Sequence, residues 1–170
     1  MNKNSRSVSI SAPWQVFAID FILLVFIYFV PTLSHLMGLP FYILDPMRMV
    51  VLGSIVLVND KRNPYILAIT IPLFSYFVAG HPILYKNIII AIELAVNVYL
   101  FNYLSSKTKH VFVAALGSII ASKALYYLLK YAMLFLGVLN TSMVDTNIVI
   151  QIAVTLMISI VLSLTYKKLS

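Results

Sequence analysis

The sequence predicts an all-α membrane protein, a compact bundle of six transmembrane helices with the N and C termini cytoplasmic and a partly inserted first outer loop. Three observations carry this. The chain is 62% hydrophobic with mean hydropathy +0.99, and only 10% of its 170 residues are charged; a soluble domain needs far more charge on its surface. Six apolar segments can be drawn along it. The cations alternate between the connections: Lys3 and Arg6 precede the first segment, Lys61 and Arg62 follow the second, Lys107 and Lys109 the fourth, Lys167 and Lys168 the sixth. The first, third and fifth connections hold no Lys or Arg outside a helix. Cytoplasmic loops collect positive charge, so six crossings of the plasma membrane with both ends inside are expected. Residues 1–13 read as a short polar segment and 14–168 as one transmembrane domain.

The first helix is expected from Trp14 to Leu33, about the length that spans a bilayer, with Trp14 as an interfacial anchor and Pro31 kinking or ending it. Asp20 interrupts its apolar run and no A-x-A site follows, so it reads as a retained helix and not as a signal peptide. Asp20 stands apart from the other ionisable groups, as a packing contact or a contact with another membrane subunit. The stretch from His35 to Pro46 is apolar, yet Gly38, Pro40 and Pro46 break any regular helix. Bare backbone cannot face lipid, so this loop should fold inward against protein.

Asp45 and Pro46 read as an N-cap and a first-turn proline, opening a second helix that ends near Val58. At about 13 residues it is roughly 20 Å long, too short for a hydrocarbon slab of about 30 Å. The third helix, Pro64 to about Gly80, is slightly short as well. The outer face should therefore be recessed. The fourth helix runs from about Ile83 to Leu104, the fifth from His110 to Leu136, and the sixth from Thr146 to Tyr166. Tyr65, Tyr103 and Tyr166 suit the inner interface; Tyr42, Tyr85 and Tyr131 suit the outer one.

Several function classes are not supported. The net charge of +7 is mostly consumed by topology and anionic lipid, with no basic stripe for nucleic acid. The absence of cysteine excludes disulfides, thiolate metal sites and thiol catalysis. There is no Walker A sequence, no H-E-x-x-H and no Gly-x-Ser-x-Gly elbow. No catalytic residue, metal site or cofactor is therefore assigned. Ser118 and Ser122 read as small packing residues.

Four cations lie inside apolar segments: Arg48, Lys86, Lys123 and Lys130. Ionisable groups in lipid are costly and point to function. Lys86, Glu93 and Asn97 are spaced seven and four apart and share one helical face. Lys123, Tyr126, Tyr127 and Lys130 make a second stripe on the next helix, which runs the other way. Two readings compete. These groups can merely pair, with Glu93–Lys123 as a structural ion pair, Asp45 as a simple cap, the lysines snorkelling outward, and His35 and His81 bonded to backbone in Gly/Pro turns. Alternatively, a water-filled pocket open to the outside solvates them and favours an anionic or zwitterionic ligand, with Lys123 and Lys130 attracting its negative group and tyrosines supplying the walls.

In size, in six helices with cytoplasmic termini, and in the inserted segment Ser34–Leu44, the chain resembles the substrate-binding S components of energy-coupling-factor (ECF) vitamin transporters. The resemblance implies an outward-facing small-molecule site involving Arg48, His81, Lys86, Glu93, Asn97, Lys123, Tyr127 and Lys130. His35, Gly38, Pro40 and Asp45 would lie in its lid loop. It also implies a membrane coupling subunit and ATPase subunits as partners, consistent with the missing Walker sequence. The Ala-x-x-x-Ala strip that many members carry on helix 1 is here only Ala18. The alternatives are a non-catalytic envelope-assembly scaffold similar to rod-shape-determining MreD proteins, and a small intramembrane enzyme acting on lipid head groups with Glu93 and a histidine as acid and base.

Overall fold

A computed structural model describes residues 12–38, 41–58, 60–79, 83–108, 110–144 and 146–169. They form six α-helices: α1 (Pro13–Met37), α2 (Pro46–Leu57), α3 (Asn63–Ala79), α4 (Leu84–Lys107), α5 (Val111–Phe135) and α6 (Ile148–Leu169). A 3-10 turn, Phe41–Leu44, joins α1 to α2. Among the described residues there is no strand, as lipid requires of any backbone that cannot close into a barrel. The chain is thus all-helical, with α1, α4, α5 and α6 long and apolar enough to cross a membrane, and it is multi-pass by that criterion. The helices α2 and α3 have 12 and 17 residues. The shortfall expected of both is present.

Helix boundaries follow local chemistry with one correction. Pro31 neither ends nor breaks α1, which continues to Met37. A proline ring removes one backbone bond, and in an otherwise apolar segment the remaining bonds carry the helix past it. The stop comes at Gly38, whose φ of 61° lies in the left-handed region where glycine has no steric penalty. The end of α5 uses the same device. Gly137 has φ 70°, its N–H donates to the Leu134 carbonyl at 3.0 Å, and Val138 N–H donates to the Met133 carbonyl at 3.0 Å, a Schellman termination.

The short helix α2 is the centre of the bundle. Val50 and Val51 join Ile27, Leu67, Ala68, Ile71, Leu94 and Val98 in one core shared with α1, α3 and α4. Leu52 joins Phe101, Ala114, Ala115, Ile119, Val154, Ile158 and Leu162 in a second, shared with α4, α5 and α6. The widest interface is α4 against α5. Ala114, Ala115, Ser118 and Ser122 are buried on α5, and small side chains are what let two helices approach closely without a hydrophobic driving force between them. The serines bond their own helix, Ser118 Oγ to the Ala115 carbonyl at 2.9 Å and Ser122 Oγ to the Ile119 carbonyl at 3.1 Å.

Helix α1 is peripheral. Trp14, Phe17, Phe21 and Ile22 are all exposed. Its Asp20 is held by α3, where Asn63 Nδ2 donates to Asp20 Oδ1 at 3.0 Å, so this carboxylate makes a packing contact within the bundle. The 3-10 turn packs on α1, α2 and α6, and Phe41 N–H donates to Ser34 Oγ at 3.1 Å. His81, Pro40 and residues 1–11 lie outside the described residues.

Candidate functional site

The site begins at the first turn of α2. Asp45 precedes the helix with φ 53° and ψ 55°, and its carbonyl accepts the Met49 N–H at 3.1 Å. A left-handed conformation is uncommon for a residue with a β-carbon, and aspartate is among the few side chains that tolerate it. The expectation of a simple N-cap is corrected here. Asp45 occupies the cap position, but its side chain makes no cap hydrogen bond. Instead Asp45 Oδ2 lies 3.0 Å from Arg48 Nε and 3.4 Å from Lys123 Nζ. Two cations nearby draw the carboxylate into charge-assisted contacts.

Arg48 follows one helical turn later and is buried, 1% exposed. Its Nη2 donates to Glu93 Oε1 on α4. Lys123 Nζ on α5 lies 3.6 Å from the same Glu93 oxygen. Arg48, Asp45, Glu93 and Lys123 thus form one closed network joining α2, α4 and α5. Its formal charge is 2 − 2 = 0. The Glu93–Lys123 pair expected from the stripes is present, but the closer partner of Glu93 is Arg48. The seven-residue spacings on α4 and α5 bring the stripes together because the two helices pack antiparallel along their length.

This network is one wall of a half-open cavity of about 1050 Å³ between the helices. Lys86 and Lys130 line it two helical turns from Glu93 and Lys123, so the described lining residues carry Arg48, Lys86, Lys123 and Lys130 against Asp45 and Glu93, 4 − 2 = +2 with histidine neutral. Lys130 is 1% exposed. The Tyr126 ring sits between two ammonium groups, 6.0 Å from Lys123 Nζ and 5.8 Å from Lys130 Nζ, within reach of a cation–π attraction. The Tyr126 and Tyr127 rings meet edge to face at 5.3 Å. Tyr127 OH donates to Gln151 Oε1 at 2.7 Å, and Gln151 Nε2 donates to the Thr146 carbonyl at 2.7 Å, which makes α6 the facing wall. His35 and Gly38 line the cavity from the end of α1.

No protein-family model, curated protein or solved structure matches this chain.

The geometry departs from the expected site at Asn97. Asn97 is fully buried one turn beyond Glu93, does not line the cavity, and its Nδ2 donates to Ser122 Oγ at 3.1 Å. It fastens α4 to α5. A shared face places residues in line, and depth then decides which of them reach the void. Gln151 and Ser75, by contrast, line the cavity without having been expected there. Gln151 carries the only side-chain amide within α6, and an amide in an apolar span is a signal of the same kind as a charge. Among the described residues no three His, Cys, Asp or Glu side chains gather as a metal-ligand set.

Proposed function

We propose that this chain is a membrane-embedded binding subunit that captures a small anionic or zwitterionic nutrient from the outer side of the plasma membrane, for ATP-driven uptake by a coupling subunit and ATPase partners of the ECF type. The observation that carries the reading is the 1050 Å³ cavity walled by six charged side chains from the start of α2, from α4 and from α5. Pairing alone leaves no room between partners, whereas here the charged network borders a void of the size small-molecule sites occupy. The cavity combines apolar side chains such as Ile27, Ile90 and Ile158 with a polar and charged wall.

Native mass spectrometry of protein extracted in mild detergent is the direct test: a bound metabolite of defined mass is expected. Lys123→Met should remove that mass while leaving the unfolding temperature within a few degrees of wild type, because Lys123 is 26% exposed on its side chain and makes the longest contacts of the network. An empty wild-type protein that copurifies with envelope-assembly proteins would favour a scaffold. Turnover of a lipid without any ATPase present would favour an enzyme.

The sidedness is part of the same proposal, with both termini cytoplasmic. In this cysteine-free chain, a cysteine at Asn140 should react with an impermeant maleimide added outside intact cells. A cysteine at Lys107 should react only after permeabilisation. The reverse pattern would turn the cavity to the cytoplasm and remove uptake from the outside.

A further inference from the structure

Two guanidinium nitrogens in the cavity wall make no hydrogen bond among the described residues: Arg48 Nη1 and Nε are both buried without one, although Nε lies 3.0 Å from Asp45 Oδ2 and Nη2 bonds Glu93. Nη1 has no carboxylate beside it that the structure records. A buried guanidinium N–H left unmade costs its full desolvation. Lys123 stands beside the same two carboxylates, at 3.4 and 3.6 Å, longer than the 2.7–2.9 Å or so of a charge-assisted bond. Both residues line the cavity, and both have donor capacity to spare.

The charge of the network selects what that capacity can accept. Arg48 and Lys123 already balance Asp45 and Glu93. A monoanion bound there leaves the four groups and guest at −1. Counted over these four groups, with Lys86 and Lys130 two helical turns away along α4 and α5, a phosphate dianion leaves −2 beside two existing carboxylates in a medium of low dielectric, where like-charge repulsion is strong. An ammonium would have to displace Arg48 or Lys123 from its partners. A carboxylate offers two oxygens, one for Arg48 Nη1 and one for Lys123 Nζ. Beyond the network the lining is mixed: Ile27, Ile43, Met47, Ile90, Val154 and Ile158 supply apolar surface, interrupted by polar groups such as Ser75, Gln151 and Thr155, and the cavity is many times larger than a carboxylate.

We infer that the guest is an amphipathic monocarboxylate whose head group bridges Arg48 and Lys123 and whose apolar body lies against the walls of α1, α4 and α6. This rests on the binding-subunit reading and specifies its ligand. The test uses four probes with one tail: octanoate, octyl phosphate, octylammonium and octanol, titrated calorimetrically into ligand-stripped protein in a non-ionic detergent. Octanoate is expected to bind best. Arg48→Lys keeps a cation between Asp45 and Glu93 but removes the guanidinium fork, so it should weaken octanoate about tenfold, the equivalent of one charge-assisted hydrogen bond, and leave octanol unchanged. Octylammonium or octyl phosphate binding as well as octanoate would overturn the inference, as would an Arg48→Lys protein that unfolds at the wild-type temperature and binds octanoate equally. Failure of all four probes also overturns it; a bound metabolite in the mass spectrum would then show that the binding reading survives with a different guest.

Discussion

Arg48→Met is expected to destabilise the protein by about 3–5 kcal/mol, the range for removing one partner from a buried ion pair. The guanidinium is buried between Asp45 and Glu93, and methionine fills similar volume, so packing changes little. What remains is two carboxylates sharing one Lys123, one of them on a side chain only 5% exposed. Glu93 then faces low dielectric without its nearest cation. Thermal or denaturant unfolding in detergent measures the loss. The double variant Arg48→Met/Glu93→Met should be more stable than Arg48→Met alone, because it removes the stranded carboxylate together with its partner. Simple additivity of the two single losses would mean that the pair is not coupled.

Phe101→Ala is expected to cost about 3 kcal/mol, at the lower end of the range for such truncations in soluble cores. Phe101 is buried in the second core against Leu52, Ala114, Ala115, Ile119 and Ile158. In a bilayer the separated helices still lie in hydrocarbon, so the transfer of the ring from water is largely absent from the balance. The loss comes from the contacts forfeited around the cavity that the ring leaves. Phe101→Leu keeps most of that volume and should cost about 1 kcal/mol. Equal losses for the two variants would place the effect elsewhere than in packing.

The fold was legible because lipid reduces the choices. A long apolar run with internal charges few enough to count has little alternative to a helix, and all six were placed within a few residues. The errors came where a local rule met a tertiary partner. Pro31 has the chemistry of a helix breaker, but the surrounding apolar sequence favours continued backbone bonding through to Gly38. Asp45 has the chemistry of a cap, but Arg48 and Lys123 claim its carboxylate. The candidate site was legible where periodicity is enforced along one element, as in Lys86 with Glu93 and Lys123 with Lys130. Arg48 as the hub of the network was not, because no spacing within α2 relates it to Glu93, 45 residues away. Asn97 shows the reverse failure: alignment on a helical face says nothing of where a void stops.

The brevity of α2 has an electrical consequence. Its 12 residues reach about 18 Å at 1.5 Å per residue, and the cavity lies at its N-terminal end, beside Asp45 and Arg48. Where solvent fills that space, it conducts, and the voltage across the cell envelope drops over the remaining thickness alone. In the outward-facing arrangement proposed above, a charged guest held there would traverse little of the potential, whose full effect is about 2.3 kcal/mol per elementary charge per 100 mV. Loading would then follow concentration and be nearly indifferent to polarisation of the cell.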